Sequence, residues 1–320
     1  MYLGNVLATF SFLLWGITPL YYQYLPGAPM DELLAVRIIA SVPVTAIALF
    51  FVSQKWPNIT ALFKDKKSFL YSTLAALLMC VSWSSFTWAI TNDRVIDASL
   101  GFFISPLTIA AMGVWGLKEK LSSGKVIALF LGLIGVLYQV ACFGQVPYIA
   151  LSMAFFFTLY SWCKKQVSYD WCSGLFVECL VLAPFALIYI LGKDVLVGAE
   201  SLNSGVTTFF LYLGSAPVTL APLVFFSLAI RWTRMSTIGF LQYLEPTLQF
   251  VLAVFVFGEV FDDMKVVSFG LIWIGLLFII VEAFISRFTV LQSFSLSLPE
   301  AIEKETKFAF IEPKWGRKSI

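Results

Sequence analysis

Two ionisable side chains, Glu245 and Arg37, stand inside stretches of sequence that are otherwise almost wholly apolar. Glu245 lies about ten residues from the start of its stretch, so in a helix it would be roughly 15 Å deep at about 1.5 Å per residue. In a membrane, a carboxylate at this depth costs about 2.5–3.5 kcal/mol and needs a cavity or a partner. The residue type suggests a proton-coupling site or a site for a cationic ligand. A protonated carboxyl, hydrogen-bonded between helices, is the structural alternative.

Arg37 lies nearer the edge of its stretch, at a helical depth of roughly 6 Å. Its planar guanidinium can bind an anionic group through two parallel hydrogen bonds, which a lysine cannot do. The side chain could also pair with Glu245 or Glu32, or extend along its aliphatic stem to the membrane surface. The sequence leaves all of these roles open.

A pocket for an amphipathic ligand is usually apolar, with a few well-placed polar groups. Most of the 54 aromatic residues are expected to contact lipid or neighbouring helices. The residues that we predict to line a substrate cavity beside Arg37 and Glu245 are Trp15, Tyr21, Trp83, Trp88, Phe102, Ser105, Tyr160, Gln242, Tyr243 and Gln249.

The residues or spacings that metal binding, disulfide formation and enzyme catalysis usually require are absent from the sequence. The chain has no histidine, which removes the commonest metal ligand and general base. Its five cysteines show no CxxC spacing and lie mostly in apolar stretches, so we expect neither a metal site nor a disulfide framework. Because no HExxH, GxSxG or P-loop sequence occurs, we predict no enzyme activity, no bound cofactor and no use of ATP.

The elements that must position these residues are transmembrane helices. Sixty per cent of the 320 residues are apolar and 12% are charged, and the apolar residues form long runs that suit a hydrocarbon core about 30 Å thick. A net charge of +2 does not suggest nucleic acid as a partner. We predict spans at Leu3–Tyr22, Leu33–Phe51, Phe69–Thr91, Ala98–Leu117, Val126–Phe143, Pro147–Cys163, Gly174–Leu191, Val206–Ile230, Ser236–Phe257 and Val266–Ile285.

The distribution of basic residues supports ten spans. Cytoplasmic loops are enriched in lysine and arginine, and 17 of the 21 basic residues fall in one set of alternate loops and the C-terminal tail. Only Arg94, Lys193 and Lys265 fall in the other set. The 17 are Lys55, Lys64, Lys66, Lys67, Lys118, Lys120, Lys125, Lys164, Lys165, Arg231, Arg234, Arg287, Lys304, Lys307, Lys314, Arg317 and Lys318. We therefore expect a multi-pass protein of the bacterial inner membrane with both termini in the cytoplasm.

The two halves of the chain resemble each other at a shift of 140 residues. Pro43 and Pro184 correspond at a shift of 141, and Ser105 is the counterpart of Glu245. The pairs at 140 include Phe86 with Phe226, Ala89 with Ala229, Ile90 with Ile230, Pro106 with Pro246, Glu119 with Glu259, Lys125 with Lys265 and Gly135 with Gly275. Pro106 and Pro246 are predicted to kink helices at the cavity. For Glu119 and Glu259 two roles stay open, a hinge or gate contact with the opposite half and a solvated loop charge.

The repeat predicts the organisation of the whole chain. We assign residues 1–143 to a first five-helix repeat, 144–287 to a second, and 288–320 to a cytoplasmic tail. Since five is odd, the second repeat enters the membrane in the opposite orientation. Inverted repeats are typical of secondary transporters, whose substrate site lies between the halves.

Several segments resemble one known family, the RarD branch of the EamA-type drug/metabolite transporters. In the first half they are Trp15-Gly16-Ile17-Thr18-Pro19-Leu20-Tyr21, Ala98-Ser99-Leu100-Gly101-Phe102-Phe103-Ile104-Ser105-Pro106-Leu107 and Lys118-Glu119-Lys120-Leu121. In the second half they are Ser236-Thr237-Ile238-Gly239-Phe240-Leu241-Gln242-Tyr243, Pro246-Thr247-Leu248, Gly258-Glu259 and Phe269-Gly270-Leu271-Ile272-Trp273.

The resemblance implies ten helices in two inverted repeats and a plasma-membrane permease. The family label refers to chloramphenicol sensitivity, which makes amphipathic drug-like compounds candidate substrates. The chain departs from the family pattern at Val36, Ala40 and Ser82, and at Glu245, whose position is usually uncharged. These changes fall in predicted cavity walls, so the identity of the substrate does not follow from the resemblance.

The sequence therefore predicts a secondary active transporter that moves small drug-like molecules or metabolites by alternating access. Export is the expected direction, and proton coupling at Glu245 is one option. Its expected partners are a small-molecule substrate and membrane lipid. A receptor, a channel or an assembly subunit without carrier activity is the alternative, and a membrane-embedded enzyme is less favoured. The oligomeric state is not encoded in any pattern that we identify.

Overall fold

The computed structural model describes residues 2–53, 59–92, 94–258 and 266–285, and within these ranges the regular structure is helical throughout. Ten of the helices have membrane-spanning length. They are α1 Tyr2–Tyr22, α2 Met30–Ser53, α3 Lys66–Thr91, α4 Val95–Ala111, α5 Ser123–Phe143, α6 Tyr148–Gln166, α7 Trp171–Val197, α8 Val206–Trp232, α9 Met235–Gln242 with Leu244–Phe255, and α10 Val266–Ile285. Short helices at Ile59–Lys64 and Glu200–Asn203 lie in connections.

The ten predicted spans correspond one to one with these helices. Nine of the described helices are long and apolar enough to cross a membrane. The remaining helix, α6, has 19 residues but is less apolar and ends in Lys164-Lys165-Gln166. The predicted break between α5 and α6 is real, because Gly144 ends α5 in the left-handed conformation at φ 74°. That conformation is easily adopted only by glycine and commonly terminates helices.

Helix ends outside the apolar runs have local causes. The carboxylate of Asp65 accepts a hydrogen bond from the backbone N–H of Ser68 at the start of α3. Asp170 accepts hydrogen bonds from the N–H groups of Cys172 and Ser173 at the start of α7. Each cap satisfies N–H groups that have no partner within the helix. The predicted tail and Glu259 lie outside the described residues.

The helices pack in a pattern that is preserved when the two halves are exchanged. The most extensive contacts join α3 to α6 and α1 to α8, which are equivalent pairs in a five-helix repeat. The contact of α2 with α8 corresponds in the same way to that of α7 with α3. Helices α2 and α7 pack on each other, as do α4 and α9. The fold is therefore two interleaved five-helix repeats, whose odd number of crossings gives them opposite orientations.

Helices α4 and α9 cross at very short range. A Cβ atom at Gly239 in α9 would lie 2.5 Å from the carbonyl oxygen of Pro106 and 2.9 Å from the backbone nitrogen of Ala110 in α4. Both are backbone atoms, so they cannot move aside without displacing a helix. The α4 helix continues from Val95 to Ala111 through Pro106, whereas α9 is interrupted at Tyr243, three residues before Pro246.

We expect Gly239→Ala to destabilise the protein, because the added methyl group must push α4 and α9 apart. Overpacking of this kind costs about 1–3 kcal/mol. The measurement is the thermal unfolding temperature of the detergent-solubilised protein. Gly270→Ala in α10 is the matched control, since a Cβ atom there meets nothing within 4 Å. Equal unfolding temperatures for the two variants would show that the crossing tolerates a side chain.

Candidate functional site

A cavity of about 470 Å³ lies between the two repeats, with walls from both. Its first-half lining includes Trp15, Thr18, Pro19, Tyr22, Met30, Arg37, Ser82, Trp83, Phe86, Ile90, Ala98, Ser99, Phe102, Phe103 and Ser105. Its second-half lining comprises Met153, Phe157, Thr219, Gln242, Glu245, Pro246, Gln249, Phe250, Ala253, Val254 and Phe269. We call this space the central cavity. Its volume is in the range of small-molecule binding sites.

The central cavity extends toward the membrane face opposite the lysine-rich loops. Its lining includes Tyr22 at the end of α1, Ile90 near the end of α3 and Ala98 near the start of α4. On the other side, aromatic rings of three helices fill the space between the repeats. The ring of Phe226 lies 5.7 Å from that of Trp15 and is stacked on that of Tyr160 at 6.0 Å. The cavity therefore ends on an aromatic floor.

The guanidinium of Arg37 lies over the ring of Trp83, with 3.7 Å between its central carbon and the ring centroid. Its Nε–H group is buried and donates no hydrogen bond. Glu32, one of its predicted partners, instead forms an ion pair with Lys193 at 3.0 Å. Glu32 also accepts hydrogen bonds from the backbone N–H groups of Glu200 and Ser201.

Glu245 stands immediately after the interruption of α9 and is 7% exposed. Neither Arg37 nor any other basic group within the described ranges is within 4.0 Å of its carboxylate. Gln242 is one helical turn earlier on the same cavity wall, and its side-chain oxygen is buried without a hydrogen bond. Among the described residues, the second half thus presents a buried carboxyl without an ion pair and an amide oxygen without a hydrogen bond.

Eight of the twelve residues predicted from the sequence to line a substrate cavity do line the central cavity, and four do not. Tyr21 donates a hydrogen bond to the carbonyl of Leu211. Tyr243 is buried behind the wall and donates to the carbonyl of Phe103. Trp88 is 49% exposed on the outer surface of α3, while Tyr160 lies in the aromatic floor. The eight lining residues are Trp15, Arg37, Trp83, Phe102, Ser105, Gln242, Glu245 and Gln249.

The two predicted kink residues also differ. Pro246 lines the central cavity, and Pro106 lies behind it against Gly239. Sequence reasoning did not select Tyr22, Phe157 or Thr219, since nothing in their spacing distinguishes them from other apolar-helix residues.

A buried ion pair between α6 and α7 also escaped the sequence analysis. The Nζ atom of Lys164 lies 2.5 Å from the Oε1 atom of Glu178, and both side chains are buried. Lys164 had been assigned to a cytoplasmic loop, but α6 continues to Gln166 and encloses it. A signal was available, because Glu178 interrupts an apolar stretch and is the counterpart of Arg37 at the shift of 141.

Below the aromatic floor, Glu119 connects the two repeats. Its Oε1 atom accepts a hydrogen bond from the backbone N–H of Met235 at 2.7 Å. Its Oε2 atom accepts from the backbone N–H and the hydroxyl of Ser236, at 2.9 and 2.7 Å. Partial burial opposes ionisation, but the Ser236 and Met235 hydrogen bonds hold the pKa of Glu119 below its ordinary value. A carboxylate of the first repeat therefore caps the start of α9 in the second.

The comparisons with known proteins agree with this architecture. The model of the EamA-like transporter family matches residues 2–140 and again 146–281. The protein RarD of Salmonella typhimurium is 36% identical over 280 residues, which are 88% of this chain and 95% of that protein. The uncharacterized transporter YojE of Bacillus subtilis is 35% identical over 279 residues, covering 86% of this chain and 92% of that protein.

A solved crystal structure shares the fold. It aligns with a TM-score of 0.65 and 16% sequence identity, and the alignment covers 85% of this chain and 95% of that one. At this level of identity the likeness concerns the fold alone. Within residues 2–53, 59–92, 94–258 and 266–285, no group of three or more potential metal ligands occurs.

Replacing Glu119 by alanine is expected to weaken the contact between the repeats, because three donors at the start of α9 lose their acceptor. Unsatisfied partly buried donors cost about 1–3 kcal/mol. We expect a lower thermal unfolding temperature and faster alkylation of a cysteine placed at Thr237. Glu200→Ala is the control, because this glutamate is exposed. Unchanged stability and alkylation would show that Glu119 does not hold the two repeats together.

Proposed function

The chain belongs to the EamA-like transporter family, within its RarD branch, and we propose that it is a secondary active transporter that exports small amphipathic molecules. The observation that supports this most directly is the central cavity, which lies between the two repeats and holds Arg37 and Glu245 among aromatic residues. A cavity in this place is where transporters with inverted repeats bind their substrates.

Alternating access is the mechanism that the packing favours. The central cavity reaches one face, and the aromatic floor and the Glu119 cap close the route to the other. If the two repeats exchanged their conformations, the first face would close and the second would open. A channel needs a continuous polar lining, and the floor formed by Trp15, Tyr160 and Phe226 interrupts any such lining.

We assign proton coupling to Glu245. This residue lines the central cavity and forms no ion pair with another described residue. A carboxyl that can either bind a proton or contact the substrate, but not both at once, couples the flux of protons to the flux of substrate. The position in the cavity also favours a transport role over catalysis, since the neighbouring groups are aromatic rings, amides and hydroxyls without a nucleophile and base arranged together.

The first test compares metabolites inside and outside a transporter-depleted bacterium that expresses the chain. Wild type should move specific compounds outward, and Glu245→Gln should abolish their dependence on the pH gradient, because the amide cannot exchange a proton. Glu200→Gln, which changes an exposed glutamate, should behave like wild type. Movement of no compound in any growth condition would contradict export, and gradient-dependent flux through Glu245→Gln would contradict coupling at this residue.

We also propose that the protein lies in the inner membrane with both termini in the cytoplasm. Alkaline phosphatase fused after Asn203 should then be active, because that loop faces the periplasm. The same enzyme fused after Tyr169 should be inactive, while a fluorescent protein fused there should fluoresce. The physical reason for this orientation is that loops rich in lysine and arginine stay in the cytoplasm. Reversed activities of the two fusions would require the opposite orientation.

A further inference from the structure

Most buried charges of the described chain have a partner of opposite charge. Glu32 pairs with Lys193 at 3.0 Å, and Asp97 with Arg94 at 2.7 Å. Two charged groups that line the central cavity lack such a partner among the described residues: Glu245, which is buried, and Arg37, which is half-buried with its Nε atom enclosed. A buried charge without a counter-ion is costly, and it is retained where a ligand or a functional partner supplies the missing charge.

The repeat provides an internal comparison for Arg37. Its counterpart Glu178 occupies the equivalent place in α7 and has a protein counter-ion, Lys164, at 2.5 Å. Arg37 has the face of Trp83 and the hydroxyl of Tyr22 as neighbours. A ring face and a hydroxyl orient the guanidinium, but neither brings a full negative charge. The first repeat thus lacks the counter-ion that the second contains.

The alternatives to an external counter-ion do not fit the geometry. Pairing with Glu32 is excluded, because both of its carboxylate oxygens are engaged by Lys193 and the amides of Glu200 and Ser201. Pairing with Glu245 is excluded in this conformation by the absence of a contact within 4.0 Å. Extension to the membrane surface is excluded, because the guanidinium is held over Trp83 in the cavity wall.

We propose that Arg37 binds the anionic group of the transported molecule, so that the cargo is a small organic carboxylate with an aromatic or otherwise apolar body. This proposal rests on the proposed function and specifies its substrate class. The guanidinium offers two parallel donors to a carboxylate, and Trp83 fixes its plane. Phe86, Phe102 and Phe157 provide an apolar surface for the rest of the molecule. Glu245 remains free to exchange a proton.

The test uses three probes with the same apolar body, namely 2-naphthylacetate, 2-naphthylacetamide and 2-(2-naphthyl)ethylamine. Their binding to the purified, detergent-solubilised protein is measured by isothermal titration calorimetry. We expect the carboxylate to bind more tightly than the amide. Arg37→Gln should weaken the carboxylate about tenfold or more and leave the amide unchanged, because only the charge-assisted hydrogen bonds are lost.

Two further variants control for folding and for general charge. Arg37→Lys keeps the charge but loses the planar fork, so it should bind the carboxylate more weakly than wild type and more tightly than Arg37→Gln. Arg231→Gln removes an exposed arginine and should bind all three probes as wild type does. Unchanged binding of the amide to every variant verifies that the cavity is intact.

Several outcomes would overturn the proposal. These are equal affinity for amide and carboxylate, carboxylate binding that is indifferent to Arg37, preferential binding of the amine, or binding of none of the probes. Failure of the proposed transport function can be distinguished from failure of the anion site, because transport is measured as flux and the anion site as binding. Arg37-dependent carboxylate binding without flux would count against a transporter and keep the anion site. Export of uncharged compounds that is independent of Arg37 would support a transporter and count against the anion site.

Discussion

The constraint on which the rest of the structure depends is that a charge within the membrane must have a partner. Hydrocarbon cannot solvate an ion, so each ionised side chain needs a counter-ion, a cavity or a route to the surface. Lys164 with Glu178 and Glu32 with Lys193 meet this requirement inside the protein. Arg37 and Glu245 meet it only through the central cavity. The distribution of counter-ions thus points to the central cavity as the candidate site.

The same constraint acts on the backbone at the contacts between repeats. The first N–H groups of α9 have no partner within the helix, and Glu119 of the other repeat accepts from two of them. Gly239 allows α9 to approach the backbone of α4 nearby. This side of the molecule therefore combines a polar cap between the repeats with close backbone packing of α9 on α4. Such contacts suit a carrier with two states.

The two repeats share an architecture but not a charge distribution. Arg37 corresponds to Glu178, and Glu245 corresponds to Ser105. In the proposed alternating-access mechanism, exchange of the repeats would therefore present different charges to the two sides of the membrane. A molecule that leaves the wall containing Arg37 would meet a wall containing Glu178 and Lys164 on the other side. Such asymmetry permits tight binding on one side and release on the other, which backbone symmetry alone does not provide.

The helices could be predicted from the sequence, because their determinants are local. Length in apolar residues decides whether a segment crosses the bilayer, and the basic loops decide its direction. The turn at Gly144 was predictable for the same reason. Glu245 and Arg37 could be selected as candidate site residues, since an ionisable group in an apolar stretch is unusual wherever it lies. The shift of 140 residues likewise revealed the repeat without coordinates.

Only the tertiary structure decided which side of each helix faces the cavity. Trp83 and Trp88 are five residues apart on α3, so at 100° per residue they point about 140° apart and only one can face inward. The sequence could not choose between them, because a transmembrane helix is apolar on its lipid side as well as on its packed side. For a related reason, the sequence could not show that Lys164 forms an ion pair with Glu178. Pairing depends on the distance between side chains in space, and these two lie on different helices.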